Sequence, residues 1–168
     1  MEQPNLHRMF VKLNIEHFNC EVPAIKLRWN RRLTTTSGYC RYSRNGEELE
    51  PTEISLSDKL FSSLGYPIDK IENTLVHEMT HAYLVHKYNE RGHTRRFQEI
   101  MTRITGVKKN HRCHSYDVSA VRQKRTIAVH CQVCGNLGHR ARMPRGYKQR
   151  GVTFTHKGCG GKITLRRE

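Results

Sequence analysis

The sequence predicts an α+β chain in two parts, helices packed on a short antiparallel sheet followed by a small β-rich module. Three features of the 168 residues carry that expectation. Apolar residues step by three and four over residues 4–18, 67–88 and 94–104. They alternate in twos at several places between residues 25 and 56. Beyond Gly106 short β-type runs are broken by Gly and Arg, and no apolar stretch there is long enough for a separate large core. The expected division is therefore 1–106 and 107–168.

Taken in order, Leu6, Met9, Phe10, Leu13 and Phe18 form the inward stripe of a first helix, ended by Asn19 to Pro23. Ile25, Leu27 and Trp29 alternate with Lys26 and Arg28, the pattern of a half-buried strand. Thr34 to Ser43 is rich in strand formers, and Asn45-Gly46 is a hairpin signal. Ile54 and Leu56 give a third strand, expected to complete an antiparallel set. Ser57 or Asp58 can cap a short helix through Leu64. Pro67 suits the first turn of a long helix reaching His86 or Tyr88, with Ile68, Ile71, Leu75, Met79 and Ala82 inward. Asn89 to Gly92 is a turn, and Thr94 to Ile104 is a helix closed by Gly106. Thr126 to His130, Val152 to Thr155 and Ile163 to Leu165 are the β-type runs of the second part.

Composition narrows the function classes. No apolar run approaches the roughly 20 residues that span a bilayer, and the first ten residues lack the charged start and apolar stretch of a secretory leader. The formal charge is +15. Residues 1–106 hold 15 basic and 13 acidic side chains, whereas residues 107–168 hold 15 basic and only two acidic ones, Asp117 and Glu168. A field so concentrated attracts a polyanion, most often nucleic acid. Six cysteines in a chain without a leader point to metal before disulfides. Cys20, Cys40 and Cys113 are scattered and are expected to be reduced, partly buried thiols.

Residues 77–81 read His-Glu-Met-Thr-His. Histidines at i and i+4 project one above the other, about 40° apart on the wheel and opposite the apolar stripe, and can share one zinc ion. His93, after the turn at Gly92, is the third ligand candidate. Three imidazoles leave one exchangeable position, so zinc there can activate a water and polarise a carbonyl. Glu78 is placed to take the proton of that water and pass it to a leaving amine. The plain reading is two surface histidines on a helix. The strand near Glu53 to Leu56 is a candidate edge for an extended substrate.

The run Ile71 to Phe97 (IENTLVHEMTHAYLVHKYNERGHTRRF), the segment Ile25 to Cys40, the pattern Ile54-Ser55-Leu56-Ser57 and Arg112-Cys113-His114-Ser115-Tyr116 resemble the SprT-like metallopeptidases, which include Spartan and the germ cell nuclear acidic peptidase. The last features lean toward the latter branch. The resemblance implies a zincin-like metallopeptidase subdomain with zinc ligands His77, His81 and His93 and catalytic Glu78. It also implies cleavage of proteins crosslinked to DNA, with DNA as activator. A nuclear location is expected from the DNA chemistry and the reduced thiols. Thr94 stands where many members carry Gly after the third histidine, and it can cap the following helix.

In the second part Cys131-Gln132-Val133-Cys134 is a knuckle, and His156-Lys157-Gly158-Cys159 is its partner. Together they offer Cys131, Cys134, His156 and Cys159, an accepted structural zinc set. His130 and His139 are rival fourth ligands, and a redox CxxC would leave Cys159 without a role. The family's usual second knuckle is CxxC, so by that resemblance His156 replaces a cysteine in a zinc ribbon. Two zinc ions are thus expected, one catalytic and one structural. Lys124, Arg125, Arg140, Arg142, Arg145, Lys148 and Arg150 surround the ligands, with Tyr147 and Phe154 interleaved. Cations along a backbone track with rings for stacking suit single-stranded or junction-containing DNA, with little sequence specificity. Packing of a tiny module is the plain reading of the two rings. Two rival functions stay open: a non-catalytic zinc-dependent DNA-binding module, and a peptidase acting on proteins not bound to DNA.

Overall fold

The structure, a computed structural model, describes residues 2–108, 111, 126–147 and 149–167. Lys124, Arg125, Lys148 and the run from Arg112 to Tyr116, with Cys113 and His114, lie outside the described residues. The chain divides into two compact units, Met1–Arg122 and Gln123–Glu168. His111 is tied to the first unit. Its backbone N–H donates to Gln98 Oε1 at 2.9 Å, and its ring nitrogen lies 3.0 Å from the Val107 carbonyl.

The first unit is a mixed α+β structure. Helix α1 (Leu6–Phe18) is capped by the Asn5 side chain, which accepts from the His7 and Arg8 N–H groups. Strands β1 (Lys26–Asn30), β2 (Gly38–Asn45) and β3 (Glu48–Ser57) form a sheet in the order β1-β3-β2. Helices α2 (Asp58–Ser63), α3 (Ile68–Tyr88) and α4 (Arg95–Thr105) follow. Pro67 is the residue before α3 rather than inside its first turn, and Thr94 and Gly106 bracket α4 as the sequence leads one to expect. Among the described residues no helix is long and apolar enough to cross a membrane.

Two expectations about the sheet need correction. The strands are not all antiparallel, since β1 pairs with β3 in parallel, Leu27 opposite Ile54 and Trp29 opposite Leu56. The tight turn at Gly46 makes β2 and β3 a hairpin, and that hairpin lays β3 rather than β2 beside β1. Alternation fixes which face a side chain takes, not which strand is its neighbour. Consequently Glu53 to Leu56 is not an edge but the centre of the sheet, and among the described residues β1 and β2 are its edges.

The core is one cluster. Ile54 and Leu56 from β3, Ile71, Leu75, Met79 and Ala82 from α3, and Phe61 and Phe97 are all fully buried. Trp29 packs edge-on against Phe61 and Tyr66 and donates from its indole to the Pro4 carbonyl. Buried Asn14 is a polar member that periodicity does not flag. Its amide donates to the Val22 carbonyl at 2.9 Å and accepts the Val22 N–H at 3.2 Å, fixing the chain as it leaves α1.

The second unit is a three-stranded antiparallel sheet, order β5-β4-β6, with β4 (Ile127–Cys131), β5 (Gly135–Arg140) and β6 (Ile163–Arg167). Val152 to Thr155 contributes only a bridge, from Thr155 to Lys162. The missed strand is β5, whose sequence Gly-Asn-Leu-Gly-His-Arg has no β-branched residue. Its pairing is imposed by the hairpin that turns through the cysteine knuckle.

Candidate metal centres

Helix α3 carries the first site. Its middle is buried on both sides: Ile71, Leu75 and Met79 face the core, and His77 and Glu78 are also buried at 5% exposure each. His77 therefore does not lie on an open helix face, and His81 is half-buried. The α3 helix stops at Asn89, whose left-handed backbone (φ 54°) turns the chain. The Asn89 side chain accepts the Leu49 N–H and donates to the Glu47 carbonyl, tying this corner to the β2–β3 hairpin. Gly92 (φ +79°) completes the return that brings His93 back over α3. Thr94 then accepts the Phe97 N–H and donates to Glu90 at 3.0 Å, so it holds His93 at the entrance to α4.

The three histidines converge. One ring nitrogen from each of His77, His81 and His93 lies within 4.8 Å of the others, and the His77 and His93 Nε2 atoms are 3.1 Å apart. Ligands about 2.0–2.1 Å from a tetrahedral zinc would stand a little over 3 Å apart, so the donor set fits that ion. Burial, then the neighbouring His93, pushes His81 down to about 4, which keeps it neutral as a ligand must be.

The floor of the site is Phe97. Its ring centroid lies 4.9 Å from that of His77, 4.5 Å from His81 and 4.8 Å from His93. Periodicity marks Phe97 only as an inward residue of α4. Its contact with all three imidazoles needs the tertiary fold.

The Glu78 side chain approaches β2. Burial pushes its carboxyl up to about 8, opposed by a hydrogen bond from the Cys40 backbone. Burial and then the Glu78 charge push the Cys40 thiol up to about 12, consistent with a reduced, unreactive cysteine. Gly38 makes the close approach possible. A Cβ there would meet Leu56 Cδ2 at 2.8 Å, Thr74 Cγ2 at 3.1 Å and Glu78 Cγ at 3.2 Å. Nothing in the sequence marks Gly38 as part of the site.

The second cluster joins the β4–β5 knuckle to the turn before β6. Ligand atoms of Cys131, Cys134, His156 and Cys159 all lie within 4.8 Å of one another. Cys134 Sγ is 2.9 Å from Cys159 Sγ, and His156 Nδ1 is 3.2 Å from Cys159 Sγ and 3.5 Å from Cys134 Sγ. His130 and His139 are not in this group. Backbone N–H groups of Cys134, then of Val133, hold the Cys131 thiol below its ordinary range, while a hydrogen bond with Cys159 pushes the Cys134 thiol up to about 11. Gly161 packs against Cys131, where a Cβ would meet the sulfur at 2.6 Å. Three thiolates and an imidazole suit a closed structural zinc site.

Of the basic positions, Arg140, Arg142, Arg145 and Arg150 are exposed on the second unit. Tyr147 is half-buried. Its hydroxyl accepts the Leu165 N–H at 2.7 Å, and its ring centroid is 5.7 Å from that of Phe154. Tyr147 and Phe154 thus pack against each other within the small unit.

The family model described as SprT-like matches residues 6–118, two-thirds of the chain. The chain belongs to the SprT-like family. The DNA-dependent metalloprotease SPRTN of Homo sapiens is 33% identical over 107 residues, 62% of this SprT-like chain and 21% of the relative. The DNA-dependent metalloprotease dvc-1 of Caenorhabditis elegans is 32% identical over 104 residues, 60% and 28% of the two chains. The Germ cell nuclear acidic-1 protein of the same organism is 29% identical over 110 residues, 59% and 19%. Both branches named by the sequence resemblance are therefore among the relatives. The SprT-like chain spans only about a fifth to a quarter of the length of these relatives.

Proposed function

We propose that this SprT-like chain is a DNA-dependent zinc metalloendopeptidase that cleaves proteins crosslinked or tightly bound to DNA, with a zincin-like catalytic unit and a zinc-ribbon DNA-binding unit. The observation that carries the reading is the convergence of His77, His81 and His93 beside a buried Glu78. Zinc held by the three histidines would supply an activated water and a polarised carbonyl. The chain's own residues do the rest. Phe97 orients the imidazoles, and the Cys40 backbone hydrogen bond holds the Glu78 carboxylate in place. Glu78 takes a proton on a carboxylate oxygen and returns it to the leaving nitrogen, which is peptide hydrolysis without a covalent intermediate. The β2 edge, unpaired among the described residues, can take an extended chain by strand addition.

In the second unit Cys131, Cys134, His156 and Cys159 would hold a structural zinc. Arg140, Arg142, Arg145 and Arg150, with Lys124, Arg125 and Lys148 from the same basic stretch, would contact phosphates. The name of the Germ cell nuclear acidic-1 relative supports a nuclear location. The deciding experiment incubates the chain with a DNA-crosslinked protein, with and without Glu78→Gln, adding DNA or RNA. Cleavage by the parent only, stimulated by DNA over RNA, supports the reading. Parent-like cleavage by Glu78→Gln overturns it.

A further inference from the structure

The near-neutral balance of the first unit hides a segregation. Residues 22–46 contain six basic and no acidic side chains, while the rest of residues 1–106 contain nine basic and 13 acidic ones. That basic stretch supplies β1 and β2, which flank β3. On the face turned away from the core, register sets Lys26, Glu53 and Arg41 in one row and Arg28, Ser55 and Tyr39 in the next. The alternate residues Leu27, Cys40, Ile54 and Leu56 face inward.

Glu53 is the hub of this face. Its carboxylate, only 10% exposed, accepts from Ser55 Oγ at 2.8 Å and Tyr39 OH at 3.0 Å. Arg28 Nε lies 3.4 Å away and Lys26 Nζ 4.0 Å away. Arg41 reaches over the Tyr39 ring, 5.6 Å from its centroid. Three cations are thus gathered around one carboxylate, so the face keeps a positive surplus. Lys26 and Arg28 remain 67% and 44% exposed.

We propose that this sheet face is a DNA-backbone track, in addition to the basic second unit. Phosphates match the charge surplus, and cations anchored by Glu53 are already ordered before binding. The placement also fits the proposed function, on which this inference rests. Along β2, Tyr39 and Arg41 face the track while Cys40 between them faces Glu78, and successive strand residues are only about 3.3 Å apart. One strand would thus carry DNA on one side and border the catalytic cleft on the other, placing a DNA-linked protein beside the site.

The test uses the full chain in a Glu78→Gln background, zinc-loaded, with anisotropy of labelled single-stranded DNA at several salt concentrations. Lys26→Gln, Arg28→Gln, Arg41→Gln and Glu53→Gln are combined, so that no carboxylate is left unpaired. Binding is expected to weaken about tenfold at low salt and its log–log salt slope to flatten by about two. Lys26→Gln alone, at the most exposed position, guards against misfolding and should flatten the slope by somewhat under one, about 0.7. Unchanged slopes in both variants overturn the proposal. So does loss of binding to poly-glutamate with the DNA slope intact, which would assign the face to a protein. The readout needs no cleavage, so a failed peptidase assignment leaves the slopes interpretable, and an active peptidase with unchanged slopes loses this track alone.

Discussion

Phe97 lies stacked on His81, ring centroids 4.5 Å apart and planes 26° from parallel. The same ring touches His77 and His93 edge-on. A single buried side chain from α4 therefore sets the attitude of ligands from α3 and from the loop between the helices. Phe97→Ala should cost about 3–5 kcal/mol through the cavity. Phe97→Leu, which keeps much of the volume, should cost less yet still weaken zinc binding roughly tenfold, since residues supporting ligands tune affinity on that scale. Competition with a fluorescent chelator reads the affinity. Equal zinc affinity in Phe97→Leu and the parent would reduce Phe97 to a core residue.

Glu78→Gln keeps the size and most of the packing of the side chain but cannot take a proton. Peptide cleavage should fall by about two to four orders of magnitude while zinc content and melting temperature stay near those of the parent. Single-turnover assays alongside elemental analysis separate lost chemistry from lost metal.

The two ligand clusters predict two zinc ions per chain, and His81→Ala and Cys131→Ser should each remove one. The consequences should differ. Losing the four-ligand site should unfold the small second unit, because metal binding there is folding free energy. The first unit has its own core and should stay folded without metal. Elemental analysis and limited proteolysis of the two variants check both points.

Gly38→Ala forces a methyl group against Leu56, Thr74 and Glu78. Overpacking of this kind costs about 1–3 kcal/mol. Because one of the displaced groups is Glu78, kcat should fall more than KM rises. Thermal melts and steady-state kinetics on the same preparation test the pairing of the two effects.

Acid should destabilise the first unit through Asp58 and Glu53. Burial raises the Asp58 carboxyl, but hydrogen bonds from Tyr66 at 2.6 Å, Gln3 at 2.7 Å and Arg31 at 3.1 Å outweigh it and hold it below its ordinary value. Ser55, then Tyr39 and Arg28, overcome burial at Glu53 in the same way. Both folded values are depressed, so their stabilisation is complete above the unfolded values of about 3.9 and 4.3. It is lost as pH falls through the lower folded values. The contribution of these two groups to the melting temperature should be flat at neutral pH and fall below about pH 4. Asp58→Asn should melt lower at pH 7 and show a shallower acid limb.

Sequence alone was enough for what depends on local spacing and chemistry. The i, i+4 pair His77 and His81, Glu78 beside them, the knuckle from Cys131 to Cys134, the caps at Thr94 and Gly106 and the hairpin at Gly46 all follow from residue type and helical or turn geometry. What the tertiary structure decided is non-local. Strand alternation could not tell that β3 lies between β1 and β2, so Glu53–Leu56 is the centre of the sheet and, among the described residues, β1 and β2 are its edges. The second cluster contains His156, and neither His130 nor His139, because the turns around Gly158 and Gly161 close on the knuckle. Phe97, Gly38 and Asn14 look ordinary in one dimension. They gain their roles only where elements distant in sequence pack within a few ångströms, and which elements meet is set by the burial of the whole core rather than by any local pattern.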